Sequence, residues 1–197
     1  MTELDNTIRV FIALDIPAGA KQALADTIRR LQSAIPYGVR WVDPAGIHLT
    51  LKFLGNIDAT LVEDIFKAMQ CAAEGFRDES FHLQLSGLGL FPNERQARVL
   101  WAGINGNLDS LKSLQEKVDE AISGLGFPRE KRSFNPHLTL GRVREGISAS
   151  ARRQVSAAFG AANLEPGDPW EVKEVHLIRS TLTPGGAIYT HLGSVLL

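Results

Sequence analysis

The sequence predicts an α+β fold of two pseudo-twofold-related lobes, each a mainly antiparallel sheet with two outer helices, with an active cleft between the lobes. Three observations predict it. His48-Leu49-Thr50-Leu51 recurs as His137-Leu138-Thr139-Leu140, and 137 − 48 = 89. Arg9-Val10-Phe11-Ile12-Ala13 matches Arg98-Val99-Leu100-Trp101-Ala102 at the same offset. Phe81 and Trp170, two aromatics placed to open a strand, also lie 89 apart. One four-residue match is compatible with chance, whereas three at a common register point to two copies of one structural unit.

The elements follow in order. A strand over Arg9–Ala13 leads into a helical pattern, Ala20, Leu24, Ile28 and Leu31, at spacings of three and four. The His48 strand comes next. Asp58 can then cap a helix through Leu61, Ile65, Phe66 and Met69 that ends near Gly75. Phe81 to Leu90 and Arg98–Ile104 read as a hairpin across Pro92-Asn93. The second copy takes its first strand from the end of this hairpin. Its helix carries Leu108, Leu111, Leu114, Val118 and Ile122 and stops at Gly124. The His137 strand follows, then a helix capped by Ser148 through Val155 and Phe159 to about Gly160. Val172–Leu182 and Ile188–Leu197 close the copy across Pro184-Gly185-Gly186. The chain is expected to form a single bilobal domain over residues 1–197. Its first repeat covers about 8–95 and its second about 96–197, with the lobe boundary near 91–97.

Composition narrows the function classes. With 197 residues, 44% hydrophobic and 22% charged, the chain has enough apolar material for a sizeable core. Its apolar runs, such as Val10–Leu14, are far short of the roughly 20 residues that span a bilayer. The acidic, polar start Met-Thr-Glu-Leu-Asp-Asn shows no secretory signal, and a cytoplasmic location is expected. Cys71 is the single cysteine, which excludes an internal disulfide and a multi-cysteine metal site; on a helix it reads as a small buried hydrophobe. Net charge is −1, but residues 129–153 hold Arg129, Lys131, Arg132, Arg142, Arg144, Arg152 and Arg153 against Glu130 and Glu145, a local +5. That stretch is either a solvated surface or a guide for an anionic ligand. Nothing suggests an oligomerisation segment, so a monomer is expected.

The repeated motif carries the chemistry. In a strand, residues i and i+2 share a face. His48, Thr50 and Lys52 therefore point one way, and Leu49, Leu51 and Phe53 point to the core. His137 and Thr139 likewise oppose Leu138 and Leu140. Two imidazoles suit in-line displacement at phosphorus, one taking a proton from water and the other giving one to the leaving oxygen. Threonine hydroxyls can hold the non-bridging oxygens. A strained cyclic phosphate diester needs no metal for this. Neither motif places Cys, Asp or Glu at ligand spacing, so no metal and no cofactor is expected. A lone His-x-Thr strand is usually surface decoration; its duplication is what argues for a shared site. His82, His176 and His191 have no partner at the offset and read as surface or hydrogen-bonded strand residues.

On these residues the chain resembles the 2H phosphoesterases, and within them the RNA 2′,3′-cyclic phosphodiesterases, also known as 2′-5′ RNA ligases. The likeness covers nearly the whole chain. It rests on Arg9–Pro17, His48-Leu49-Thr50-Leu51-Lys52-Phe53-Leu54-Gly55, Phe134-Asn135-Pro136-His137-Leu138-Thr139-Leu140-Gly141-Arg142, and the ending Ser180 through Tyr189. The resemblance implies an RNA partner with a terminal 2′,3′-cyclic phosphate, hydrolysed to a 2′-phosphomonoester, and a capacity for 2′-5′ ligation. It implies His48 as proton donor and His137 as proton acceptor; the repeat alone makes the two equivalent. Thr50, Thr139 and Arg142 are the expected phosphate-binding residues. Strict alternation puts Arg142 on the core side, which a charge tolerates poorly, unless the strand ends or bulges at Gly141. Tyr189 and Arg132 are candidate substrate contacts, and Phe53 reads as core. Two alternatives stay open: a cyclic phosphodiesterase for a small nucleotide, and a non-catalytic RNA-end binder using the basic 129–153 stretch.

Overall fold

A computed structural model describes residues 6–76 and 80–197; the first five residues of the acidic N-terminal segment lie outside the described residues. The order is β1 (Thr7–Asp15), α1 (Ala18–Ala34), β2 (Val39–Trp41), β3 (His48–Asp58), α2 (Val62–Glu74), β4 (Phe81–Phe91), β5 (Val99–Gly106), α3 (Leu108–Ser123), β6 (His137–Val143), α4 (Ala149–Gly160), β7 (Trp170–Val172), β8 (Glu174–Thr183) and β9 (Gly186–Leu196). Two antiparallel sheets result, ordered β3-β1-β8-β9 and β2-β6-β5-β4-β7. The expected α+β architecture with two sheets and four helices is what the chain adopts.

The helices form where their apolar spacing placed them. Leu24, Ile28 and Leu31 of α1, Ile65 and Met69 of α2, Leu111, Leu114, Val118 and Ile122 of α3, and Val155 and Phe159 of α4 are all buried in one apolar core. Ser148 Oγ accepts the Ala151 N–H at 3.1 Å and so starts α4. Asp58 accepts the Thr60 N–H at 2.9 Å, capping a short 3₁₀ turn over Ala59–Leu61 ahead of α2. Cys71 lies on α2 as expected, but exposed rather than buried. It falls on the polar side of the helix whose other face holds Ile65, Ala68, Met69 and Ala72.

The repeat is real but its register drifts. The His strands keep the offset of 89. Thr50 pairs with Ala13 and Thr139 with Trp101, so β1 and β5 are equivalent at 101 − 13 = 88. Ala13 pairs with His176 and Trp101 with Gly89, so β4 and β8 are equivalent at 176 − 89 = 87. Phe81 and Trp170 are therefore not counterparts. They lie on neighbouring strands of one sheet, where Leu83 pairs with Trp170.

Nor do the sheets coincide with the sequence halves. Residues 92–98 connect β4 and β5, which pair with each other, so this stretch lies inside the second sheet and not between lobes. Each His strand pairs with the first strand of its own half, and that strand pairs with the closing strand of the other half: β3-β1-β8 and β6-β5-β4. The chain visits the second sheet twice, briefly at β2 and then from β4 to β7, and returns to the first each time.

Candidate active site

The His strands have a shared irregularity that decides which side chains share the face of the histidines. Opposite Leu51, the pairing of β3 with β1 shifts between Ile12 and Ala13; opposite Leu140, β6 shifts against β5 between Leu100 and Trp101. Each is a β-bulge, which adds one unpaired residue and reverses the alternation beyond it. Leu49, Leu51, Leu138 and Leu140 are buried as expected, and His48, Thr50, His137 and Thr139 are half-buried on the opposite face. Past the bulge the faces exchange. Lys52 and Gly141 turn into the interior, while Phe53 and Arg142 turn out.

This corrects two expectations. Phe53 is not core: it is 68% exposed, on the His48 face, with its ring 6.0 Å from that of Phe11. Lys52 does not accompany His48. It is 7% exposed and donates to Asp119 of α3 and, at 2.9 Å, to the Pro128 carbonyl. The corresponding bulge in β6 resolves the difficulty over Arg142, which stands outward on the face of His137 and Thr139. Gly141 inside the bulge allows the approach of β2, since a Cβ there would lie 2.8 Å from Val39 Cγ1.

Each imidazole is held in the same way. His48 Nδ1–H donates to the Gly46 carbonyl at 2.8 Å, and His137 Nδ1–H donates to the Asn135 carbonyl at 2.8 Å. Both acceptors lie two residues upstream, again 89 apart. With a proton fixed on Nδ1, Nε2 is the nitrogen left to exchange one. The rings around the two differ. His48 stacks on Phe11, centroids 4.4 Å apart, and meets the edge of Tyr189 at 4.9 Å. Gly46 makes room for Tyr189, whose Cδ2 lies 2.9 Å from where a Cβ would stand. His137 meets the edges of Phe91 at 4.9 Å and Trp101 at 6.4 Å. Burial lowers the proton affinity of His48; the Gly46 carbonyl and the Asp15 charge oppose this, and Lys21 and His191 add to it. The two His strands approach each other at the junction of the sheets, with Cα atoms within 8 Å.

Of the remaining predicted residues, Tyr189 stands beside His48, whereas Arg132 is exposed on the loop before His137 and lines a cavity of about 690 Å³ with Arg129, Phe134 and residues of α3. The basic stretch is partly structural: Arg129 pairs with Asp119 at 3.5 Å, and Arg152 donates to the Ala97 carbonyl. Several residues at the site escaped sequence reasoning. Phe11 and Ala13 form, with Ile178, a small apolar cluster on the face that carries His48, because β1 is buried on both sides. Arg40 pairs with Arg142 across β2 and β6 and is exposed like it. Asp15 pairs with His48 in the ladder and lies 3.1 Å from His191.

Known proteins match this chain along nearly its whole length. An RNA 2′,3′-cyclic phosphodiesterase of Methanothermobacter thermautotrophicus is 34% identical over 189 residues, covering 94% of this chain and 96% of that protein. One of Thermotoga maritima is 32% identical over 182 residues, covering 92% and 91%. Among solved structures, TT0787 of Thermus thermophilus superposes with a TM-score of 0.73 at 28% identity, covering 96% of this chain and 98% of that one. E. coli LigT complexed with 3′-AMP gives 0.68 at 26% identity, covering 97% and 98%. The family described as LigT like Phosphoesterase matches twice in succession, over residues 14–101 and 104–189. With that double match laid over a duplicated fold, the chain belongs to the LigT like Phosphoesterase family.

Proposed function

We propose that the protein hydrolyses the 2′,3′-cyclic phosphate at an RNA end to a 2′-phosphomonoester, by acid–base catalysis between His48 and His137 without a metal. The observation that carries this reading is the duplicated Nδ1 bond to a carbonyl two residues upstream, at Gly46 and Asn135. It fixes one tautomer on both imidazoles and leaves each Nε2 for proton transfer. His137, neutral, takes the proton of the attacking water. His48, protonated, gives its Nε2 proton to the departing 3′ oxygen, the roles the family resemblance implies. The Thr50 and Thr139 hydroxyls donate to the non-bridging oxygens, and Arg142 offers the phosphate a charged donor. Tyr189 and the outward Phe53 are the rings placed for a base, since single-stranded RNA is held largely by stacking. Relatives named for this activity and the LigT complex with 3′-AMP support the substrate class. With a 5′ hydroxyl in place of the attacking water, the same displacement of the 3′ oxygen would join two ends through a 2′-5′ linkage. We assign the activity to a cytoplasmic monomer; no helix among the described residues is long and apolar enough to cross a membrane.

Substituting either His48 or His137 by Ala should lower turnover of a cyclic-phosphate-ended oligonucleotide by at least about 100-fold, the usual size of a general acid–base contribution. Near-normal turnover in either variant would overturn the mechanism, and loss of activity on chelation would overturn its metal independence. A mononucleotide complex in a relative favours a second reading, in which a small cyclic nucleotide is the substrate. Turnover of the mononucleotide at or above that of the oligonucleotide would establish it.

A further inference from the structure

Asp15, His176 and His191 meet on the face of the first sheet that also carries His48. They come from β1, β8 and β9, brought together by the pairing of Ala13 with His176 and of Ile178 with His191. Asp15 Oδ2 lies 3.1 Å from His191 Nε2, and the two imidazoles meet edge to face with centroids 4.9 Å apart. One donor atom from each of the three lies within 4.8 Å of the others. Glu174 adds a second carboxylate, 3.6 Å from His176 Nε2. Lys21 opposes a positive charge on His176, and its ammonium is engaged by the Ala45 carbonyl at 3.0 Å.

We infer that Asp15, His176 and His191 form a binding site for a divalent transition-metal ion such as zinc, separate from the two catalytic histidines. Two imidazoles and one carboxylate converging on a point are a donor set of such ions, with further positions left for water. A tetrahedral ion with bonds of about 2.1 Å holds its donors about 3.4 Å apart, so modest side-chain rotation closes the site. The side chains of Asp15 and His191 are 37% and 47% exposed and have room to rotate. An Asp15–His191 ion pair alone leaves His176 unexplained, because it makes no hydrogen bond among the described residues and its side chain is only 11% exposed.

Titrating metal-free, full-length protein with Co²⁺ and following the visible ligand-field absorption tests the site. One ion per chain is expected, with the band lost in His191→Gln and in His176→Gln and kept in His48→Gln. Circular dichroism verifies that each variant is folded. No band up to millimolar Co²⁺, or a band that survives both substitutions and vanishes in His48→Gln, overturns the site. A metal-free protein that binds cobalt as expected yet turns over no cyclic phosphate overturns the function proposed above and leaves the site standing.

Discussion

At the scale of the residue, His48 and His137 are alike in their backbone bonds and unlike in their surroundings. His48 is stacked on Phe11 and closed in by Tyr189, and burial depresses its proton affinity. A donor with depressed affinity loses its proton early as pH rises. The limb of the kcat/KM profile that falls toward alkaline pH should therefore lie below the ordinary imidazole value of about 6.5. It should move up in Phe11→Ala, which opens the ring to water. A limb at or above that value, unmoved by the substitution, would contradict His48 as the acid. The same shift has a stability consequence of fixed sign. The unfolded chain takes up the proton more readily than the folded one, so this group lowers stability as pH falls through about 6.5. The two histidines and two threonines are legible in the sequence because the motif is repeated. Phe53 is not, because strict alternation fails across a bulge that the residues themselves do not announce. The choice between core and cleft for Phe53, Lys52 and Arg142 depends on a single extra leucine in each strand.

Elements show where a local pattern suffices and where it does not. The four helices are readable from apolar spacing and capping residues, since both act within a few residues of one another. β2 and β7 have three residues each, too few for any period to register, and exist because a neighbouring strand offers an edge. The turn inward of Lys52 creates a link that no helix or strand pattern encodes. Its ammonium bonds to Asp119 of α3 and to the Pro128 carbonyl, while Asp119 also accepts the Glu130 N–H at 3.2 Å. The first His strand thus holds the loop that leads to the second histidine. Burial raises the Asp119 carboxyl, but the Lys52 bond, the Glu130 N–H and the Arg129 charge outweigh it and leave the group below its ordinary value. Its stabilisation is present above the unfolded carboxylate value of about 3.9 and is lost as pH falls through the lower folded value. Lys52→Met should cost about 3–5 kcal/mol in urea unfolding at neutral pH, because it leaves Asp119 charged and buried. Combining Lys52→Met with Asp119→Leu should recover much of that. A single-variant cost under about 1 kcal/mol would show that the pair is solvated and does not anchor the loop.

The whole molecule is where sequence symmetry and spatial symmetry part. The repeat tells how many strands and helices to expect and in what order. It does not tell which strand pairs with which, because pairing is a property of distant segments and the register drifts from 89 to 88 to 87 between strand pairs. Each half contributes its closing strand to the sheet of the other. A protein cut between residues 95 and 96 should therefore give two pieces that are each without a complete sheet. Separately expressed, the pieces should show little ordered structure by amide-proton NMR dispersion, and mixing them should restore the dispersed spectrum and the activity. A half that gives a dispersed spectrum alone would show that the exchanged strand is dispensable.

The route from the first sheet to the second and back has a mechanical consequence. The earliest strand, β1, and the latest, β9, both belong to the sheet that carries His48, separated only by β8. Tension applied between the two ends of the chain runs through the β1–β8–β9 ladder. Apart from its edge strand β2, the sheet that carries His137 hangs in the chain between β3 and β8, outside the line of force, and is shielded from load until the first sheet parts.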